Sequence, residues 1–514
     1  MRQLRSALSK AGYKVAHLDS NPYYGGDHAS LTVDELIEWA NAKKQGTLAS
    51  AYRSAQRRKF SSITIKHSPI PKPRSFSISL TPTIIPSVGP LVDALVASGV
   101  SRYGGFKLLD KVAVYEGPSR LQTVPTSKED VFTSKDLSLI DRRRLMRFLT
   151  FAGGEYEQSP ELGGHENDAF FSFLRDIFRL PDKVATAITY ALAFCTSGSE
   201  PTIHALRRVH RYLHSSGRYG PSPFLVGHYG GLGEIAQGFC RAAAVHGATY
   251  VLGHAVTVAA PIRTEVPQPA VRRDSDYTRW SLTLQDISET FDCQVVVSDT
   301  DYLPTTTAPN DSRIARCIAI LNKPISFSKN KADKADTHEE APIGNIVDTA
   351  LIVFPPSSVE GGSATTAVQA LVSGEGSMST PPGHWILHLT LPGLNESGVE
   401  AEVILQPYLQ AVLALAGSEP ADPLLTLYYL ETSPGDSLAV VADSLDSPEM
   451  KISDRSCLAE TADSAALKGE ETFWATLKEL KARGHRPSGE SGRLEDVEHL
   501  WPPLEDTGED DSTE

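Results

Sequence analysis

The fold is decided by residues 215–256, which read SSGRYGPSPFLVGHYGGLGEIAQGFCRAAAVHGATYVLGHAV. Glycine and proline are so frequent before Glu234 that this part is predicted to form a shaped loop. From Glu234 to His246 the composition favours a helix, and Gly247 is placed as its C-terminal cap. Residues 248–252 then predict a strand. A loop, a helix and a strand are therefore expected in immediate succession.

One face of the predicted helix is polar. At 3.6 residues per turn, Glu234, Gln237 and Arg241 share that face, whereas Ile235 and Phe239 lie on the apolar face that packs inward. An ordinary charged surface helix is one interpretation of the polar stripe. A partner-binding surface is the other, and the glycine-rich loop beside the helix favours it.

Composition limits the class of protein. The chain has 514 residues, of which 40% are apolar, which is enough for about two to four domains with large cores. The net charge of −14 argues against nucleic acid as a partner, because phosphate binding relies on clustered Lys and Arg. The five cysteines are widely separated without a C-x-x-C motif, so no disulfide framework and no metal site is predicted. No apolar run approaches the roughly 18 residues of a membrane span, and a cytosolic location is expected.

The start of the chain contains half of a dinucleotide-binding unit. Residues 13–18 predict a buried strand that ends at Asp19, the position where such units hold a ribose. The first strand and the glycine-rich turn that cradles a pyrophosphate are missing from the sequence. No cofactor is therefore predicted, and in particular FAD is not expected.

These patterns predict an α/β (α+β) fold. A large domain like those that bind FAD or NAD(P), with mixed parallel and antiparallel sheets, is expected to comprise residues 1–123 and 216–484. Apolar residues at helical spacing predict an all-helical small domain, residues 124–215, inserted into it. Residues 485–514 are acidic and predicted to be disordered.

Two further stretches carry predictions about local structure. Residues 41–74 are rich in Lys and Arg and predict a solvated excursion, with a basic docking surface as the alternative. Residues 471–483 predict the final helix.

Catalytic motifs are missing from the sequence. It contains no G-x-S-x-G, no H-E-x-x-H and no phosphate-binding loop with lysine. A non-catalytic protein is therefore predicted.

Residues 215–256 resemble a signature block of the Rab GDP-dissociation inhibitor and Rab escort protein superfamily. The resemblance lies in the order SP, YG, LGE, QGFCR and then a Thr-Tyr strand, with an extra glycine at Gly230-Gly231 as a departure. Residues 19–31 resemble the same superfamily a second time. By this resemblance, the residues that form a Rab-binding platform are Tyr24, Glu234, Arg241, Thr249 and Val251.

Among superfamily members the chain is most similar to fungal escort proteins. The segment VPTSKEDVFTSKDLSLIDRRRLMRFLTF, the basic stretch before Arg74 and the acidic tail with HLWPPLE carry this likeness. It implies an accessory component that binds GDP-bound Rab GTPases and presents them to the α/β heterodimer of Rab geranylgeranyltransferase. It also implies that the geranylgeranyl lipid of the Rab is bound as cargo, and that membrane contact is transient and occurs through the prenylated Rab.

The resemblance also implies a transferase-binding aromatic in the helical domain. Phe148 and Phe151 are the candidates, because helical geometry separates them and only one is expected to point fully into the core. The alternative is that both rings belong to the core. For the whole chain, the alternative functions are a Rab GDP-dissociation inhibitor and a flavin-dependent oxidoreductase.

Overall fold

The structure is a computed structural model. It describes residues 2–45, 59–118, 120–124, 137–258, 280–299, 313–327, 347–394, 398–416, 422–432, 437–441, 450–451, 457–482, 485, 497 and 499–501. The helices in this part of the chain are α1 (Arg2–Lys10), α2 (Val33–Gln45), α3 (Pro90–Ala97), α4 (Leu139–Gly153), α5 (Phe170–Asp176), α6 (Asp182–Ala187), α7 (Thr202–Ser215), α8 (Leu232–Val245), α9 (Ala401–Leu413) and α10 (Thr461–Ala482).

The strands occur mainly before α4 and after α7. In chain order they are β1 (Ala16–Asp19), β2 (Ser30–Leu31), β3 (Phe60–His67), β4 (Ile78–Ser79), β5 (Ile85–Pro86), β6 (Phe106–Leu108), β7 (Lys111–Gly117), β8 (Arg120–Thr123), β9 (Phe224–Gly227), β10 (Thr249–Leu252), β11 (Val256–Val258), β12 (Trp280–Leu284), β13 (Ile287–Cys293), β14 (Val296–Asp299), β15 (Arg313–Leu321), β16 (Thr349–Phe354), β17 (Val368–Ser373), β18 (Trp385–Leu394), β19 (Leu425–Thr432), β20 (Ser437–Val441) and β21 (Met450–Lys451).

An eight-stranded mixed sheet forms the centre of the large part. Its order is β3-β19-β15-β18-β17-β16-β7-β8, in which β16 and β7 pair in parallel. Side chains alternate along β15, so Cys317 lies in the cluster covered by Leu405 of α9, and Ile318 lies in the cluster covered by Leu36 of α2. The strands are apolar on both faces because helices cover both faces.

The helix and strand predicted from residues 215–256 are confirmed, whereas the predicted loop is interrupted by a regular strand, Phe224–Gly227, which pairs with β5 and β6. The loop contains β9, the helix is α8, and Gly247 follows it with a φ of +84°. The strand is β10, which pairs in parallel with β1 in a register that places Val251 beside Leu18. This pairing joins the two segments that resemble the superfamily.

Residues 137–215 contain α4 to α7. Their core continues onto the large sheet through Leu351 and Val353 of β16. Two arginines of α7 tie the helices to the turn before α10 and to its first turn: Arg208 Nη1 lies 3.2 Å from Glu460 Oε2, and Arg211 Nη1 lies 3.1 Å from Asp463 Oδ2.

Three local predictions need correction. The solvated excursion is wrong for Phe60–His67, which forms the edge strand β3, while residues 46–58 lie outside the described part. The final helix begins at Thr461 rather than at residue 471, and it continues through Gly469, a residue of low helix propensity that lies where α10 approaches Gln3 of α1. The tail is packed at Trp501, together with Val497 and Leu500, against the cluster of α1 and α10.

The helices of the described part differ in length and polarity. None of them combines the length and the apolar character that crossing a membrane requires.

Candidate functional site

The loop before α8 owes its shape to consecutive residues with positive φ. Tyr229, Gly230 and Gly231 have φ values of +51°, +84° and +83°. Gly230 and Gly231, the pair that contains the extra glycine, therefore both adopt the left-handed conformation that favours glycine. The Ser30 hydroxyl donates to the Tyr229 carbonyl at 2.5 Å, and the Gly230 amide donates to the Ser379 hydroxyl at 3.1 Å. The start of α8 is thereby fixed against β2 and against the connection between β17 and β18.

Two charged side chains of α8 are accessible to solvent and form no ion pair among the described residues. Arg241 is exposed and Glu234 is half-buried. Neither side chain makes an ion pair within 4.0 Å in the described part of the chain, and their spacing of seven residues keeps them from pairing with each other. Both charges therefore remain available to a second molecule.

Tyr24 joins this region through β10. Its ring meets the ring of Tyr250 edge to face, with centroids 5.7 Å apart, and 40% of Tyr24 is exposed. Burial beside Cys240 of α8 raises the pKa of the Tyr250 hydroxyl, so Tyr250 stays neutral and fills the space between helix and turn. Thr249 and Val251 are the neighbours of Tyr250 along β10, and their side chains point to the face of the strand opposite the Tyr250 side chain.

The turn that carries Tyr24 is anchored at both ends. Asp19 Oδ1 accepts hydrogen bonds from the backbone amide of Asn21 at 2.9 Å and from its side-chain amide at 3.0 Å. Farther along the turn, the nearly buried Lys59 places Nζ 2.6 Å from Asp27 Oδ2. The five predicted residues thus come from three adjoining elements, of which the turn is held at one end by Asn21 and at the other by Lys59.

Arg241 also contacts an aromatic residue that sequence reasoning missed. Its guanidinium carbon lies 4.8 Å from the centre of the Tyr103 ring, and 44% of Tyr103 is exposed. Nothing in the sequence distinguishes Tyr103 from other surface tyrosines, because the contact joins positions 138 residues apart.

With this geometry in place, a family comparison is decisive. The sequence description of the GDP dissociation inhibitor family matches residues 3–337, well over half of the chain. The chain belongs to the GDP dissociation inhibitor family. The resemblance drawn from residues 215–256 is thereby confirmed.

Two relatives of this chain carry nearly the same printed name. The Saccharomyces cerevisiae protein "Rab proteins geranylgeranyltransferase component A" is 30% identical over 417 residues, covering 80% of this chain and 62% of the yeast one. The human "component A 1" protein is 39% identical over 184 residues, covering 36% of this chain and 28% of its own. The chain therefore spans less than two thirds of the length of these relatives.

Solved structures show the fold of the family member. The Rab GDI of Plasmodium falciparum aligns with a TM-score of 0.58 at 19% identity, covering 93% of this chain and 95% of its own. An oxidoreductase of Methanosarcina mazei aligns at 0.51 and 12% identity, covering 92% and 97%. At these identities the likeness concerns the fold alone, and it confirms the predicted flavoprotein-like α/β class.

The two predicted transferase-binding phenylalanines occupy different environments. Phe148 is fully buried, so it offers no exposed ring and is corrected from a candidate contact to a core residue. Phe151 is half-buried and lies 5.0 Å from Phe178, centroid to centroid. Nearby, Leu139 and Ile140 at the start of α4 are 75% and 62% exposed, which the helical periodicity did not predict.

The GDI family member has a cleft between its helices and the large sheet. The cleft holds about 450 Å³. Its walls combine aromatic and proline rings with small and hydroxyl side chains: Ala169, Phe171, Ser172, Thr186, Tyr190, Gly198, Ser199, Pro355 and Pro356. Within the described residues, no group of three or more His, Cys, Asp or Glu side chains is arranged to hold a metal ion.

Proposed function

We propose that this protein is a Rab escort protein. It binds GDP-bound Rab GTPases, presents them to the α/β heterodimer of Rab geranylgeranyltransferase and delivers the prenylated Rab to membranes. The observation that carries the proposal is the surface at α8, where Glu234 and Arg241 form no ion pair among the described residues and where the exposed ring of Tyr24 contacts Tyr250 of the adjoining β10. Charged and aromatic side chains of this kind dominate the binding energy of protein interfaces.

The protein acts without catalysis of its own in this proposal. The printed names of its yeast and human relatives, component A of the transferase, support an accessory role. It works in the cytosol and reaches membranes through the prenylated Rab. The geranylgeranyl lipid is cargo, and the cleft beside Phe171 and Tyr190 supports this part, because each buried CH₂ contributes about 0.8 kcal/mol.

No flavin takes part in the proposed function. Flavoproteins share the fold; here Asp19 Oδ1 accepts two hydrogen bonds from Asn21 and anchors the turn that carries Tyr24. The purified protein is expected to lack flavin absorbance near 450 nm, roughly where free flavin absorbs. A yellow preparation would turn the proposal towards an oxidoreductase.

A Rab GDP-dissociation inhibitor is the second candidate. The family match and the structural likeness to the Plasmodium falciparum Rab GDI favour it. Both candidates bind Rab proteins through the same surface, so Rab binding does not separate them. Support of prenylation by the transferase does.

Replacing Glu234 or Arg241 by alanine is expected to weaken binding of a GDP-loaded Rab. Each change removes a charge-assisted contact worth about 1.5 to 3 kcal/mol, which corresponds to roughly tenfold or more in Kd. Titration of each variant with the GDP-loaded Rab measures the effect.

Two controls accompany this titration. Glu470→Ala removes an exposed glutamate of α10 and should leave the affinity unchanged. Thermal unfolding should be nearly the same for all variants, because none of these charges forms an ion pair among the described residues and all three side chains are at least partly exposed. Unchanged Kd in both α8 variants would remove this surface from the proposal.

A further inference from the structure

The exposed strip of α8 has a boundary on each side. Gly238 and Cys240 are two positions apart, so they project from the helix about 160° apart. Cys240 lies beside Tyr250 of β10, and Gly238 lies against Val100. Arg241 is exposed between these two contacts. The predicted platform residues outside α8 lie on β10 or, like Tyr24, contact it, and β10 is the strand on the Cys240 side, which leaves the Gly238 side unassigned.

On the Gly238 side, the segment that packs against α8 ends at Tyr103. Val100 begins a short 3₁₀ helix, Val100–Arg102, and is only 2% exposed. A Cβ at Gly238 would lie 2.8 Å from the Val100 side chain, so the close approach requires glycine. This packing fixes the 3₁₀ helix against α8, and Tyr103 follows Arg102 as the C-cap residue of the 3₁₀ helix. The Tyr103 ring is therefore presented from a rigid base.

The contact between Arg241 and Tyr103 leaves the charge of Arg241 available. A guanidinium within about 6 Å of a ring centre is attracted by the ring, and the distance here is 4.8 Å. No carboxylate lies within 4.0 Å of Arg241 in the part of the chain that the structure describes. The ring orients the cation without neutralising it, whereas an ion pair would do both.

We propose that Tyr103 is a positioning residue of the Rab-binding surface. It holds the Arg241 guanidinium for a carboxylate of the bound Rab, and the surface extends across α8 to the Gly238 side. The inference rests on the proposed function, because it needs a partner that binds Arg241. An arginine held in place before binding loses less side-chain freedom on binding, so the ring is expected to raise affinity through Arg241.

The test is a double-mutant cycle on the affinity for a GDP-loaded Rab. Tyr103→Leu is expected to weaken binding about fivefold in the wild-type background, the upper end of a surface cation–π contact. In the Arg241→Ala background the same change should have less than about a twofold effect, because the residue that Tyr103 positions is gone. Tyr103→Phe keeps the ring and should retain wild-type affinity.

A matched control is present in the chain. Tyr219 is 50% exposed in the loop between α7 and β9, and the Arg218 guanidinium lies 5.5 Å from its ring centre. Tyr219→Leu therefore removes an equivalent contact elsewhere and should leave Rab affinity unchanged. Unchanged melting temperatures confirm that all variants are folded.

Several results of the cycle would overturn the role proposed for Tyr103. Wild-type affinity of Tyr103→Leu overturns the inference, and so does an equal loss in both backgrounds, which would make Tyr103 an independent contact. A loss in Tyr103→Phe as large as in Tyr103→Leu also overturns it. If Arg241→Ala alone binds Rab normally, Arg241 makes no contact with the Rab and the role of Tyr103 fails with it, whereas a loss in Arg241→Ala with wild-type affinity of Tyr103→Leu overturns the inference and leaves the proposed surface intact.

Discussion

Replacing Glu431 by glutamine is expected to cost the fold about 3 to 5 kcal/mol of unfolding free energy. In the large sheet, Arg316 Nε donates to Glu431 Oε2 at 2.6 Å, and Arg316 Nη1 donates to the Thr390 hydroxyl at 3.1 Å. Arg316 and Glu431 are each only 1% exposed. Glutamine preserves the volume but leaves the arginine cation buried without a counter-charge. Urea denaturation of the purified variant measures the loss.

A double variant serves as the control for this prediction. Arg316→Met with Glu431→Leu removes both charges together, and such replacements of buried pairs are often neutral or stabilising. The double variant should therefore be markedly more stable than Glu431→Gln alone. Equal losses in the single and double variants would contradict the account, because packing rather than the uncompensated charge would then explain them.

The second large effect is expected at Phe148. Its ring is fully buried and meets Phe178 edge to face with centroids 5.2 Å apart. Truncating a fully buried phenylalanine to alanine costs about 3 to 5 kcal/mol, because the site keeps a cavity. Phe151→Ala should cost less, since Phe151 is only half-buried. Melting curves of the two variants give the comparison.

Phe151 is the remaining candidate for the transferase contact. If it fills that role, Phe151→Ala should weaken binding to the transferase heterodimer by about tenfold or more while leaving GDP-loaded Rab binding unchanged. Intact transferase binding in Phe151→Ala would remove this candidate. A drop in melting temperature as large as that of Phe148→Ala would likewise identify Phe151 as a core residue.

Local patterns explain which predictions from sequence succeeded. Both α8 and β10 were predictable because a glycine-rich loop, helix-forming composition and Gly247 follow one another in the chain. The pairing of β10 with β1 was not predicted; the family resemblance implied only that Tyr24 lies near Thr249 and Val251. The burial of Phe148 was left open, because helical spacing defines a face but does not show which other helices cover it.

Features that depend on distant residues were not predictable. Strand β3 lies within the stretch rich in Lys and Arg, and its own Lys66 pairs with Glu402 of α9 at the sheet edge. Lys59 is nearly buried because Asp27 neutralises it. The contact of Arg241 with Tyr103 likewise joins separate parts of the chain. Such contacts between distant residues determine local structure even where the local composition favours another structure. Patterns among neighbouring residues do not predict them.

The most direct test of the central claim is a reconstituted prenylation reaction. Purified protein is added to the transferase heterodimer, a GDP-loaded Rab and geranylgeranyl pyrophosphate, and lipid transfer to the Rab is measured. An escort protein predicts transfer that depends on the added protein and falls when Arg241→Ala replaces it. Rab binding without any stimulation of transfer would contradict the account and identify the protein as a dissociation inhibitor.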